Sequence, residues 1–102
     1  MIKVLYSQDD ENNFTLLDVQ GHAEYDDSGK DLVCASVSSI IFGFMNAIDE
    51  TKEKVEIKDE GNRIIITNHS NNEVINDYFK LVLFQLKTIE ESYGEFIKVE
   101  RK

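Results

Sequence analysis

The chain has no proline and only one cysteine, Cys34, and its eleven basic residues face twenty acidic ones over 102 positions. A single cysteine excludes an intrachain disulfide and accords with a reducing compartment. The missing prolines fit a chain built mostly of regular elements. The shortage of Lys and Arg leaves a formal charge of -9. That argues against nucleic acid as a direct partner, because phosphate contacts need clustered cations. A basic polypeptide suits the surplus better, although acidity also simply keeps a small cytoplasmic protein dissolved. No continuous apolar run approaches the ~18 residues of a membrane span, and Met1-Ile2-Lys3-Val4-Leu5-Tyr6 reads as a strand rather than a leader. The expected location is the cytoplasm, with no membrane partner.

What is present is the composition of a globular domain, 41% hydrophobic and 30% charged. At this length one domain over residues 1–102 is expected, with a modest core. Residues 2–7 and 13–20 flank the polar turn Gln8-Asp9-Asp10-Glu11-Asn12 and read as a hairpin. Alternation puts Ile2, Val4 and Tyr6 on one face. In the second strand it pairs Phe14 with Leu16 on one side and Leu17 with Val19 on the other. A second hairpin, residues 54–58 and 62–67, turns at Asp59-Glu60-Gly61. Residues 73–92 read as a long helix ended by Gly94, with apolar positions that wrap too far round to face one sheet. The remainder points to a homodimer. A last strand covers residues 95–100. The order ββαββαβ implies an α+β fold, a mainly antiparallel sheet with two helices packed on it.

The chemistry centres on Gly21-His22-Ala23 and Asp31-Leu32-Val33-Cys34-Ala35-Ser36-Val37-Ser38. Gly21 punctuates the end of a strand, so His22 sits just beyond it. From Val33 the positions Val37, Ile40, Ile41, Phe44, Met45 and Ile48 recur at helical spacing, predicting an amphipathic helix over 32–49. Two starts compete, a capping box from Ser28 to Asp31 and Asp31 itself as N-cap. The second is preferred. It puts Cys34 at the third helical position, where unpaired N–H groups and the positive helix end favour a thiolate and supply oxyanion donors. Twelve residues can extend to roughly 40 Å, so contact between His22 and Cys34 must come from the fold.

These residues resemble the paired motif of the bacterial ribosomal-processing cysteine proteases, the Prp family, and the likeness covers essentially the whole chain. Ser36 is a small residue that leaves the motif intact. The resemblance implies a cysteine peptidase that removes a short N-terminal extension from a bacterial large-subunit ribosomal protein, number twenty-seven. It also implies His22 as base and Cys34 as nucleophile, with Asp31 and Ser38 at matching positions of less defined role.

Blander accounts stand beside each assignment. Cys34 shares a stripe with Val37, Ile41, Phe44 and Ile48, and a buried cysteine is commonly just a small hydrophobe. His22 alone could be a surface residue, but its pKa suits both taking a thiol proton and returning it to a leaving amine. Asp31 caps the helix or orients the imidazole. Ser38, one turn after Cys34, touches the thiol or bonds back to a helix carbonyl. Residues 23–30, with Tyr25, Asp26 and Asp27, read either as a solvated connection or as a mobile lid that orders over a basic peptide. His69 is expected at the surface. No CxxC or HxxxH spacing supports zinc, and no cofactor is implied. The rival to a peptidase is a non-catalytic protein-binding module acting in ribosome assembly or regulation.

Overall fold

Alternating apolar residues in the short strands and 3.6-residue periodicity in the long segments fix the element types. The computed structural model describes residues 1–21 and 32–102 in full, and residues 28–31 by their helical backbone. Its elements are β1 (Ile2–Gln8), β2 (Phe14–Gln20), α1 (Ser28–Thr51), β3 (Val55–Asp59), β4 (Arg63–Asn68), α2 (Glu73–Tyr93) and β5 (Ile97–Arg101). The sheet order is β3-β4-β2-β1-β5. Three neighbouring pairs are antiparallel, while β5 lies parallel to β1 after crossing over through α2.

One sheet face meets both helices. Ile2 and Val4 stand beside Ile97 and Val99 on one side, and Val4 stands opposite Val19 on the other. Val19 and Leu17 in turn oppose Ile64 and Ile66. These residues, apart from Val99, which is partly buried against them, join Val33, Val37, Ile41, Phe44, Ile75, Phe79 and Leu86 in a single buried cluster. Each such side chain contributes about 1.5–3 kcal/mol of burial. Phe14 departs from the simple alternation that pairs it with Leu16. A register shift between Ser7 and Gln8 sets Gln8 opposite Phe14 and Ser7 opposite Leu16, leaving Thr15 as the extra residue. A bulge reverses the alternation, so Phe14 is buried with Leu17 and Val19 while Leu16 takes the other face.

Phe79 ties the layers together. Its ring lies 4.9 Å from that of Phe44 on α1, edge-on at 85°, and 6.2 Å from that of Phe14 on β2. Asn72 caps α2, its Oδ1 accepting from the N–H of Val74 at 2.8 Å and of Ile75 at 3.2 Å. Gly94 is the C-cap but is right-handed, at φ -59°. The helix therefore ends in an ordinary turn and not in a left-handed glycine cap.

As the wrapped apolar pattern implies, α2 buries Ile75, Phe79, Val82, Leu83 and Leu86. Leu81 and Phe84 remain 60% and 57% exposed. Between the helices runs a groove of about 440 Å³ lined by Ile40, Gly43, Tyr78, Leu81 and Gln85. The stretch Leu32–Thr51 is long and apolar enough to cross a membrane by length and composition. Its apolar stripe packs in the core: Val33, Val37, Ile41, Phe44 and Ile48 are all buried.

Candidate active site

Three strand ends converge where the histidine segment begins. Gly21 follows β2 with φ 86°, a left-handed conformation open to glycine. Its N–H donates to the Asn62 carbonyl at 2.7 Å, tying it to the start of β4. A Cβ there would lie 2.8 Å from the Met1 carbonyl oxygen, so the backbone ahead of β1 presses against it as well. The glycine expected on punctuation grounds is thus required by both dihedral and contact. His22, Tyr25, Asp26 and Asp27 lie outside the described residues, as does the side chain of Asp31.

The helix start differs from the preferred expectation. Because α1 begins at Ser28, Asp31 is inside the helix, not its N-cap, and Cys34 is the seventh helical residue. The orphan N–H groups of a helix belong to its first four residues, and the dipole effect fades beyond the first turn. The Cys34 amide is therefore part of the helical ladder. Oxyanion donors and thiolate stabilisation cannot come from a helix end at this position. The periodicity gave no warning, because Ser28, Gly29, Lys30 and Asp31 carry no apolar stripe to extend.

Cys34 itself is fully buried, within the cluster that includes Val33, Val37 and Ile41. The core placement read from its stripe is observed. Ser38 sits one turn on and is half-buried. His69 is at the surface as expected, with Nε2 3.3 Å from Glu56 Oε1. Among the described residues no cluster of three or more His, Cys, Asp or Glu is placed to hold a metal.

A buried carboxylate escaped notice in the sequence. Asp18 is only 2% exposed, although strand parity puts it on the sheet face away from the helices, between Leu5 and Ile65. Arg63 grips it with two bonds, Nε to Oδ1 at 3.1 Å and Nη2 to Oδ2 at 2.9 Å. The hydrogen bond and charge of Asp18 raise the Arg63 pKa above its ordinary value, with a smaller push from Glu60. The available signal was an acidic residue in a strand whose neighbours on both partner strands are apolar.

The family model described as Cysteine protease Prp matches residues 1–98. The ribosomal processing cysteine protease Prp of Staphylococcus aureus strain Mu50 is 36% identical over 106 aligned positions, spanning the whole of both chains. A crystal structure of the S. aureus protease Prp, described as essential and bound to a substrate peptide, superposes with a TM-score of 0.90 at 34% identity, covering all of both chains. A second S. aureus structure, with a covalently linked product peptide, gives a TM-score of 0.87 at 35% identity, again covering all of both chains. The chain belongs to the ribosomal processing cysteine protease Prp family.

Proposed function

We propose that the protein is a cytoplasmic cysteine endopeptidase that removes the N-terminal extension of large-subunit ribosomal protein twenty-seven, with Cys34 as nucleophile and His22 as base. One observation carries the assignment of the sulfur. A cysteine protease needs a cysteine, and this chain has one. In the mechanism, Cys34 Sγ attacks the scissile carbonyl carbon, and the thiol proton passes to His22. His22 then protonates the departing amine nitrogen, leaving a thioester. Water gives a proton to His22 as it attacks, and the carboxylate product leaves with the thiol restored.

The helix start constrains how the thiol is activated. With no helix end at Cys34, the imidazole must supply the bulk of the thiolate preference, each pKa unit being about 1.4 kcal/mol. Asp31 is assigned to orient that imidazole, Ser38 to support the thiol, and Gly21 to set the corner that precedes His22 in the chain. Tyr25, Asp26 and Asp27 are assigned to the peptide, the two carboxylates facing its basic residues. Because Sγ is covered, substrate entry must open a path to it. The apolar groove between α1 and α2, with exposed Leu81 and Phe84, is assigned to a homodimer contact.

The burial of Cys34 is also what a non-catalytic binding module would show, its sulfur a packing atom. Incubation of tagged precursor with the protein and with Cys34→Ala, Cys34→Ser and His22→Gln separates the two. Cleavage by the unmodified protein alone supports the peptidase. Equal processing by all four overturns it.

A further inference from the structure

A five-stranded sheet has two edges, and they are finished differently. On β5 the bonds Ile2 N–H to Phe96 and Lys102 N–H to Tyr6 show that even-numbered residues face β1. The amides of Ile97, Val99 and Arg101 therefore point outward. Glu90 reaches across from α2 and accepts from the middle one, Val99 N–H, at 2.8 Å. The middle of this edge is capped by a carboxylate brought over from the helix layer, a protection against further strand pairing.

Among the described residues the β3 edge carries no such plug. His69 N–H bonds to Lys54 and Glu60 N–H to Arg63. Lys54, Glu56, Lys58 and Glu60 therefore face β4, while Val55, Ile57 and Asp59 face outward. The Val55 amide is taken locally by Glu53 at 2.9 Å, which leaves the amides of Ile57 and Asp59 presented to an incoming chain. Ile57 stands beside buried Ile66, on the sheet face that carries the helices, yet it is 37% exposed. The core layer is unfinished here, and one more strand would complete it.

We infer that the outer edge of β3 receives the substrate peptide as an added strand, an inference that rests on the peptidase assignment and names how its substrate is held. Position favours this occupant: the β3–β4 turn contains Asn62, whose carbonyl holds Gly21, so the edge leads to the catalytic corner. Charge favours it too. From Glu53 to Glu60 the strand and its flanking residues carry four carboxylates and two lysines, complementary to a basic polypeptide. Pleating then dictates the chemistry of the bound segment. Side chains at alternate positions lie beside Ile57 and Val55 and are apolar; those between them lie beside Glu56 and Lys58 and are polar or basic.

The test uses full-length Cys34→Ala protein and a synthetic peptide spanning the precursor cleavage site, read by amide hydrogen exchange. Saturation slows exchange at Ile57 and Asp59 and leaves Ile97 and Arg101 unchanged. With the unmodified enzyme, N-methylation of alternate peptide amides raises KM by about tenfold, and methylation of the intervening ones does not. Exchange at Ile57 and Asp59 that is unaltered while the peptide binds overturns the docking and leaves the peptidase standing. Protection that grows with protein concentration in the absence of peptide assigns the edge to a second copy and also overturns it. Absence of cleavage by the unmodified enzyme overturns the peptidase assignment instead, and the exchange data still decide whether the edge takes a peptide.

Discussion

Gly21 and Gly61 form an internal experiment on what holds the corner that precedes His22. Both have φ 86°. Among the described residues a Cβ on Gly61 meets nothing within 4 Å, whereas one on Gly21 comes 2.8 Å from the Met1 carbonyl oxygen and 3.6 Å from the Ile2 Cα. Replacing each with alanine imposes the same left-handed cost of roughly 1–2 kcal/mol, partly offset by the reduced entropy of the unfolded chain, about 0.4–1 kcal/mol. Only Gly21→Ala adds a clash with backbone, which must move and costs about 1–3 kcal/mol more. For a domain of this size each kcal/mol lowers the melting temperature by roughly 4–8 °C. Gly61→Ala should therefore shift it by a few degrees, and Gly21→Ala by roughly 10 °C or more. Thermal unfolding followed by circular dichroism gives the stabilities, and precursor cleavage below both transitions gives kcat. Gly61→Ala keeps wild-type kcat. Gly21→Ala, which pushes β1 away from the corner, lowers it. Equal destabilisation of the two variants would refute the close-approach account.

Phe79→Ala removes the ring shared by Phe14 and Phe44 and should cost about 3–5 kcal/mol, a large part of the total stability of a small domain, measurable by urea titration. Asn72→Ala should cost about 1 kcal/mol through loss of the α2 cap, read as a lower urea midpoint with an unchanged m value. Because Asp18 is buried and lies between Leu5 and Ile65, Arg63→Met, which strands the carboxylate, should lower the melting temperature more than Asp18→Leu, which fills the same place with hydrocarbon. The raised Arg63 pKa means that its charged form is favoured below its ordinary range and lost only as pH rises through the raised value. Unfolding between about pH 6 and 9 should show no step from this guanidinium. Leu81→Glu, at the exposed helix face, should shift a dimer to a monomer in sedimentation velocity while leaving the melting profile of the monomer intact.

Fold class and element order were legible because the chain's own periodicities are clean. Ile2, Val4 and Tyr6 alternate without interruption, and the glycines at 21 and 61 fall where the strands end. A bulge at Thr15 leaves no trace in a hydrophobic pattern, so alternation alone puts Phe14 on the wrong face. The start of α1 is hidden for a related reason. Asp31 is a good cap by residue type, but backbone helicity upstream of it depends on no apolar stripe. The parallel pairing of β5 with β1 is a long-range outcome of α2 crossing the sheet. At the site, residue identity carried more than geometry: one cysteine in a framed motif marked the proposed nucleophile, while its burial among valines and isoleucines came from its place on the stripe. The partner of Asp18 was not legible, because Arg63 lies forty-five positions away.

The claim on which the mechanism rests is that a buried sulfur becomes the acylated atom. A peptide matching the precursor up to the scissile bond and ending in an aldehyde or vinyl sulfone should add once per chain. Intact mass and peptide mapping should place it on Cys34, with adduct formation slowed by His22→Gln and abolished by Cys34→Ala. Continued cleavage of precursor by Cys34→Ala, or a thiol that stays unmodified while the unmodified protein turns over, would contradict the account.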